Sequence, residues 1–212
     1  FCSRADLHAA QAPHASDGAY VYAGTCRDLS KSEREELSKH KIPATRIRVP
    51  NKTYAFEDKV YGQTSQNLSK LCGDFIVQRA DEVFAYQLAV VVDDADMGVT
   101  EVVRGSDLLS STPRQLYLQD VLGFSHPIYA HLPLLVAPDG RRLSKRNHDL
   151  DLGVLRAQGK TPGQILGFLA YCIGLAEKEE PLSAVQVANR FSWDVLRAHR
   201  KNVVVEHFSH VL

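Results

Sequence analysis

Hydrophobic and polar positions alternate in short stretches between residues 44 and 78, which is the period of a half-buried β-strand. The alternation predicts three strands separated by polar turns, at 46–50, 53–56 and 74–77. Ser30, three residues before Glu33, predicts the start of a helix. Further upstream, an Asp17-Gly18 pair followed by a short aromatic run predicts a small hairpin within residues 1–30.

The strongest apolar run, 83–94, is compatible with two structures. Its three successive valines favour a strand, whereas Tyr86, Val90 and Met97 would share one face of a helix, so periodicity leaves both open. The pattern then predicts a strand, a helix and a strand, at 99–103, 112–122 and 131–136. This order is typical of a parallel α/β sheet. Three further helices are predicted near the end, at 165–173, 183–191 and 193–199.

Composition narrows the function classes. The 212 residues include 25 basic and 25 acidic side chains, so nucleic-acid binding would need local patches of charge. No apolar run reaches the ~18 residues of a membrane span, and no signal-peptide pattern is visible, so we expect a cytoplasmic protein without a membrane partner. Four scattered cysteines argue against a disulfide-stapled scaffold. Because Met97 is the sole methionine, we expect the chain to be a fragment of something longer.

A basic segment after the last predicted strand carries the clearest chemical signal. The turn 137–140 leads into Arg141, Arg142, Lys145 and Arg146, four cations within six residues. Clustered Lys and Arg at a strand end bind phosphate and stabilise negative charge on phosphoryl oxygens. The alternative is an ordinary solvated basic loop.

Arg104 and Tyr86 are candidate substrate-binding residues. Arg104 ends the predicted strand 99–103, where ligands of open α/β sheets bind, and its guanidinium suits a carboxylate or phosphate. We expect Gly105 to let the backbone turn sharply there. The alternatives are a structural salt bridge from Arg104, to Asp107 or Asp94, and a core position for Tyr86.

Two groups of residues resemble metal ligands. Asp93, Asp94 and Asp96 could bind a hard cation, although such acids are more often helix caps or partners of arginine. Cys2 and Cys26, with Tyr22 between them, suggest zinc, but zinc takes four ligands and the spacing alone is weak evidence. His8 and His14 could complete the set.

Three segments together resemble one enzyme family. They are 84–94 (FAYQLAVVVDD), 98–105 (GVTEVVRG) and 131–145, the last ending in a form of the KMSKS loop, Arg142-Leu143-Ser144-Lys145-Arg146. In this order they resemble class I glutamyl-tRNA synthetases. The similarity is greatest to a shortened branch, the glutamyl-queuosine tRNA(Asp) synthetases, because Val90 replaces an expected asparagine and Asn147-His148 follows the loop. The short helical tail, in place of an anticodon-binding domain, also fits that branch.

The resemblance implies an α/β fold: the second half of a Rossmann-type nucleotide-binding domain with an inserted α+β lobe. It implies four regions, namely a zinc-type hairpin at 1–30, a nucleic-acid-facing lobe at 31–82, the catalytic half-domain with its KMSKS-like loop at 83–148, and a helical C-terminal region at 149–212. It also makes 83–97 mainly helical, against the strand propensity.

The resemblance also implies roles for individual residues. Tyr86 and Arg104 would bind glutamate, Arg142 to Arg146 would bind ATP with Mg²⁺, and Lys145 would stabilise the departing pyrophosphate. Cys2, Tyr22 and Cys26 would be three ligands of a structural Zn²⁺, with a fourth cysteine expected just before Phe1, so the site would be incomplete in this chain.

The implied activity is ATP-dependent activation of glutamate and its transfer to queuosine at the wobble position of tRNA(Asp), by a monomer. The full synthetases generally need tRNA to activate glutamate, whereas the shortened branch is expected not to. Because no HIGH-type motif occurs in the sequence, we expect the fragment alone to be inactive. The alternatives are a catalytic fragment charging tRNA(Glu) and a non-catalytic RNA-binding fragment.

Overall fold

A computed structural model describes residues 1–2, 21–22, 24–143 and 152–205. Its helices are α1 to α8, in order Lys31–Ser38, Leu68–Leu71, Tyr86–Asp96, Thr112–Leu122, Leu152–Ala157, Pro162–Cys172, Ala184–Arg190 and Trp193–Ala198. Its strands are β1 to β8, in order Thr45–Ile47, Thr53–Asp58, Gly62–Asn67, Phe75–Gln78, Glu101–Gly105, Ile128–Leu132, Leu135–Val136 and Val203–Val204. The structure is therefore α/β, as predicted.

The strands form three sheets. A four-stranded sheet has the order β3-β2-β6-β5, and β2 runs parallel to β6, with Asp58 opposite Tyr129. The other two sheets are the antiparallel pair β1-β4 and the parallel pair β7-β8. In the large sheet β6 therefore lies between β2 and β5, which brings the ends of strands distant in sequence side by side.

The chain divides into two compact units. The first contains Phe1–Glu57, Gln63–Val102 and Leu108–Ile128, and the second contains Asp58–Gly62, Val103–Asp107 and Tyr129–Leu212. These units do not coincide with the four regions expected from the sequence, whose boundaries remain a prediction. None of the helices within the described ranges is long and apolar enough to cross a membrane.

Local sequence signals explain several helix ends. The Ser30 side chain accepts a hydrogen bond from the backbone N–H of Glu33, and Glu33 bonds back to Ser30, so the predicted capping box is present. Helix α4 has the predicted bounds, with Pro113 in its first turn and Gly123 ending it at φ 74°. Ser111, the residue before α4, makes no side-chain cap bond, and a 3₁₀ helix, Ser106–Ser111, runs directly into α4.

The apolar run 83–94 becomes helix α3, which removes the ambiguity in favour of the resemblance. The predicted helical face was wrong, because Val91 is the buried residue while Tyr86 and Met97 are 54% and 76% exposed. At the start of α3, Gln87 donates to Ser111 at 3.1 Å and accepts from Gln115 of α4 at 2.8 Å. These contacts with α4 hold the segment as a helix despite its strand propensity.

The predicted strand 131–136 is two strands, β6 and β7, divided at Pro133. A proline has no backbone N–H to give to a sheet ladder, so the chain leaves one sheet here and enters another. Strand β7 then pairs with β8, whose Val203 donates to Leu134 at 2.9 Å. Strand β3, with the sequence GQTSQN, was missed because it has no apolar alternation.

The three predicted C-terminal helices correspond to α6, α7 and α8, with ends that differ from the prediction by at most three residues. Their core contains Ala170, Leu175, Ala176 and Leu182. Most of the hairpin expected within residues 1–30 lies outside the described residues, as do His8 and His14.

Candidate active site and cysteine cluster

Arg104 lies near the end of β5 and is half-buried. Its Nε donates a hydrogen bond to Nε2 of His131 at 3.0 Å, and its guanidinium carbon lies 5.2 Å from the centre of the Tyr129 ring. Because arginine offers five N–H donors in a planar fork, a guanidinium fixed in this way is suited to bind a carboxylate or phosphate. The assignment of Arg104 to substrate binding stays a prediction, and the sequence analysis did not identify its partners His131 and Tyr129.

Asp58 and His131 form a fully buried pair behind Arg104, with both side chains 0% exposed. Oδ2 of Asp58 lies 2.6 Å from Nδ1 of His131, and Oδ1 accepts the backbone N–H groups of Val60 and Tyr61, each at 2.9 Å. Burial raises the pKa of Asp58, but the hydrogen bonds from His131, Tyr61 and Val60 outweigh burial, and the net pKa is lowered. The carboxylate is therefore ionised at neutral pH. We call Asp58, Tyr129, His131 and Arg104 the Arg104 centre.

The loop that contains Asp58 is held by the C-terminal part of the same unit. Arg197 of α8 donates through Nε to the carbonyl oxygen of Lys59 at 2.8 Å, and the hydroxyl of Tyr61 donates to the carbonyl oxygen of Arg200 at 2.8 Å. Lys59 also donates its N–H to the carbonyl of Tyr129 at 3.0 Å. The turn after β2 is therefore fixed on two sides.

Gly105 provides space beside the end of β5. Its φ is not in the left-handed region, and a Cβ there would lie 2.7 Å from Oδ1 of Asp107 and 2.9 Å from Leu134. The absence of a side chain lets Asp107 fold back beside the end of β5. Strand β5 ends at Gly105 and a 3₁₀ helix begins at Ser106, and the part of this glycine in a sharp backbone turn stays a prediction. Asp107, considered as a partner of Arg104, forms an ion pair with Arg142.

The start of the KMSKS-like loop is the turn 137–140, as predicted. Gly140 has φ 79° and donates its N–H to the carbonyl of Ala137 at 2.8 Å, and the N–H of Ala137 donates to the carbonyl of Arg141 at 2.9 Å. Val136 and Arg142 form an antiparallel bridge that closes the turn. Leu143 is half-buried, whereas Ser144, Lys145 and Arg146 lie outside the described residues.

Tyr86 is the first residue of α3 and is 54% exposed, so the interpretation of this side chain as a core aromatic was wrong. Tyr86 belongs to the first unit and Arg104 to the second. Their shared role in a glutamate pocket remains a prediction.

Cys2, Tyr22 and Cys26 come together in the first unit, and we call them the cysteine cluster. The two sulfur atoms are 3.3 Å apart, and the Tyr22 hydroxyl accepts the backbone N–H of Cys26 at 2.6 Å. Burial raises the pKa of Cys26, but hydrogen bonds from the Cys2 thiol and the Tyr22 hydroxyl outweigh it and lower the pKa. Tyr22 itself is buried, which raises the pKa of its phenol.

The donor set of the cysteine cluster fits zinc in part. Two thiolates on one tetrahedral zinc lie about 3.8 Å apart, given Zn–S bonds of about 2.3 Å, so a small opening of the pair would suffice. Within the described ranges no three His, Cys, Asp or Glu side chains form a metal-binding group. Neither the aspartates of 93–96 nor the cysteine cluster, whose third donor is a phenol, is therefore such a group.

A cavity of about 360 Å³ adjoins the cysteine cluster within the first unit. Four arginines line it, namely Arg27, Arg34, Arg46 and Arg48. The buried carboxylate of Asp74 holds Arg27 at 2.7 Å, and the Arg46 guanidinium stacks 4.3 Å from the Tyr22 ring. Asp74 also accepts the N–H of Val49 at 2.9 Å, so the cavity wall is an ordered basic surface.

Comparison with known proteins identifies the family. The model of the class I tRNA synthetase (E and Q) catalytic domain matches residues 3–209. The chain belongs to this family. It is 46% identical over 207 residues to the glutamyl-Q tRNA(Asp) synthetase of Symbiobacterium thermophilum, covering 96% of this chain and 63% of that protein. It is 49% identical over 166 residues to the protein of that name from Geobacter sulfurreducens, covering 78% of this chain and 51% of that protein.

A solved structure shows the same fold. The glutamate tRNA ligase of Elizabethkingia meningosepticum, determined in complex with its amino acid, superposes with a TM-score of 0.71 at 25% identity. The match covers 95% of this chain and 44% of that protein. The synthetase chain described here thus spans about half to two thirds of the length of the proteins it resembles.

Proposed function

We propose that the protein containing this chain is a ligase that activates glutamate with ATP and transfers the glutamyl group to queuosine at the wobble position of tRNA(Asp). It would act in the cytoplasm as a monomer. The observation that supports this most is the 46% identity, over 96% of the chain, with a protein named glutamyl-Q tRNA(Asp) synthetase. The Arg104 centre supplies a matching chemical feature, a fixed guanidinium for a carboxylate substrate.

In the first step the α-carboxylate of glutamate attacks the α-phosphorus of ATP, forming glutamyl-adenylate and releasing pyrophosphate. Arg104 binds a carboxylate of glutamate, with Tyr86 assigned to the same pocket. Arg142, Leu143, Ser144 and Arg146 are assigned to ATP, and Lys145 stabilises the charge on the departing pyrophosphate. The protein supplies positioning and charge neutralisation rather than covalent chemistry.

In the second step a hydroxyl of the queuosine cyclopentene diol attacks the carbonyl carbon of the adenylate. The carbon–oxygen bond to phosphate breaks, AMP leaves, and the hydroxyl proton is lost to solvent. The arginines around the cavity beside the cysteine cluster support a role for this face in binding RNA phosphates.

Two metal ions belong to the proposal. Mg²⁺ would arrive on ATP, and because it uses phosphate oxygens and water as most of its ligands, no described residue is assigned to it. Zn²⁺ would be held by Cys2, Tyr22 and Cys26 and would stabilise the local fold without taking part in the reaction.

The proposed activity is tested with the full-length protein. Glutamate-dependent ATP–pyrophosphate exchange is measured without RNA, followed by transfer of labelled glutamate to three acceptors: tRNA(Asp) with queuosine, tRNA(Asp) without it, and tRNA(Glu). We expect exchange in the absence of RNA and label only on queuosine-bearing tRNA(Asp). Label on tRNA(Glu) would favour the fragment-of-synthetase alternative, and RNA binding without any exchange would favour the non-catalytic one.

Lys145→Ala tests the basic loop. We expect the rate of pyrophosphate exchange to fall by at least ~100-fold, the size typical of a lost electrostatic stabiliser in a transition state. Lys178→Ala, a change outside the proposed site, serves as the control. An unchanged exchange rate in the Lys145 variant would reject the assigned role.

A further inference from the structure

Three neighbouring strands of one sheet each contribute one member of a hydrogen-bonded chain. Asp58 ends β2, His131 lies in β6 and Arg104 lies in β5, with β6 between the other two strands. Asp58 is in register with Tyr129, and His131, two residues further along β6, points to the same face. The Tyr129 and His131 rings stack with an interplanar angle of 15°. The sheet itself therefore sets the order carboxylate, imidazole, guanidinium.

The proton positions in this chain follow from the donors available. Arginine has no acceptor atom, so the 3.0 Å bond from Nε of Arg104 requires a lone pair on Nε2 of His131. The imidazole proton is then on Nδ1, where it is donated to Asp58 at 2.6 Å. The backbone N–H of His131 also points to Asp58, at 3.3 Å. Asp58 thus fixes both the tautomer and the ring orientation of His131.

The arrangement orients Arg104 without placing a carboxylate of Asp58 directly on it. The neutral imidazole of His131 accepts the hydrogen bond from Arg104, and this bond constrains the plane of the guanidinium. The charged carboxylate of Asp58 contacts His131 on the other side of the ring. Tyr129, 5.2 Å from the guanidinium carbon, constrains the same plane from its face.

We propose that Asp58 and His131 are positioning residues that hold the Arg104 guanidinium in the orientation required to bind the glutamate carboxylate. This inference rests on the proposed function. A side chain locked by buried partners keeps its geometry when substrate is absent, and a misplacement of about 1 Å at such a site is enough to lower the rate by about 100-fold.

Three variants of the full-length protein separate orientation from general stability. In Asp58→Asn an amide nitrogen facing Nδ1 would donate, forcing the imidazole proton onto Nε2, against the N–H of Arg104. His131→Leu removes both contacts. His131→Gln keeps a donor for Asp58 and an acceptor for Arg104. The matched controls are Asp120→Asn and His126→Gln, because His126 and Asp120 form a pair of similar length, 2.8 Å, on the exposed surface.

The measurements are the KM values for glutamate and for ATP in pyrophosphate exchange. We expect Asp58→Asn and His131→Leu to raise the KM for glutamate at least about tenfold, with the KM for ATP changed less than about twofold. His131→Gln should recover most of the loss, and the two surface controls should match the wild type. A merely structural role would lower the active fraction and leave both KM values unchanged, and that result, or an equal rise in both, would overturn the proposal.

Nitrogen-15 NMR of the imidazole provides a second test that needs no activity. We expect His131 in the wild type to be protonated on Nδ1, and a proton on Nε2 would overturn the proposal even if the kinetics agreed. If a variant of Asp58 fails to fold, the comparison of His131→Leu with His131→Gln still decides. If the wild type shows no glutamate-dependent exchange, the proposed function fails. The NMR assignment of the His131 tautomer then tests the hydrogen-bonded chain of Asp58, His131 and Arg104 independently of activity.

Discussion

The Arg104 centre and the cysteine cluster are both groups of polar side chains, but they are built differently. In the first, the carboxylate of Asp58 is fully buried and receives hydrogen bonds from His131, Val60 and Tyr61. In the second, two thiols face each other at 3.3 Å beside a phenol. The first arrangement binds its members to one another, whereas the second assembles donors that suit a cation. The buried network fixes its own geometry, whereas for the cysteine cluster we propose Zn²⁺ as the completing ligand.

Of the changes that test this difference between the two regions, Asp58→Ala should have the largest effect on stability. The change leaves buried N–H donors of His131, Val60 and Tyr61 without their acceptor, and we expect the free energy of unfolding to fall by about 3–5 kcal/mol. Urea denaturation measures the loss. Cys26→Ala in metal-free protein should cost about 1 kcal/mol or less, and equal losses in the two variants would contradict the distinction between the two regions.

The same residue gives a pH dependence of known sign. The pKa of Asp58 is lower in the folded state than in the unfolded state. Its contribution to the free energy of unfolding is therefore complete above the pKa of an unfolded carboxyl group, about 4. This stabilisation is lost as the pH falls through the lower pKa that Asp58 has in the folded state. Stability curves of wild type and Asp58→Ala should therefore converge at acid pH.

The zinc content of the protein tests the cysteine cluster directly. We expect the full-length protein to carry about one zinc per chain, measured by mass spectrometry of the metal, and Cys26→Ser to lose it, because a thiolate ligand is removed. Cys172→Ser is the control, since burial raises the pKa of this thiol to about 11 and makes it a poor ligand. Equal zinc content in wild type and Cys26→Ser would show that the cluster is not a zinc site.

A smaller effect is expected from the glycine that supports the cluster. Gly73 has φ 60° and forms a bridge with Tyr22, and a Cβ there would lie 2.9 Å from the Tyr22 carbonyl oxygen. We expect Gly73→Ala to lower stability by about 1–3 kcal/mol, from strain and crowding together. Gly98→Ala isolates the strain, because Gly98 has φ 68° and no described atom lies within 4 Å of its Cβ position. If both changes cost the same in thermal unfolding, the contact with Tyr22 contributes nothing.

The smallest effect should come from Asp107→Asn. Its partner Arg142 is 64% exposed, so the ion pair is screened by water and should contribute less than about 1 kcal/mol to stability. The comparison with Asp58 is then between a solvated carboxylate and a buried one. A loss as large as that of Asp58→Ala, measured by the same urea denaturation, would refute the role we assign to burial.

Sequence patterns predicted the elements that have a local cause. The capping box of Ser30 and Glu33, the bounds of α4 and the turn ending at Gly140 all follow from neighbouring residues. Arg104 was singled out because ligands of open α/β sheets bind where such a strand ends, and its role in binding stays a prediction. The Asp58–His131 contact was not, because it joins residues 73 positions apart through the order of strands in a sheet. An acid two residues after one predicted strand and a histidine at the start of another were the only signals available.

The pairing of β7 with β8 has a consequence for how the protein is made. Val203 and Val205 donate backbone hydrogen bonds to Leu134 and Val136, and the side chain of Asn202 accepts from the N–H of Leu134. A ribosome delivers Val203 and Val205 about seventy residues after the strand that they complete. During synthesis, strand β7, which leads to the basic loop, therefore lacks its β8 partner until these residues have emerged.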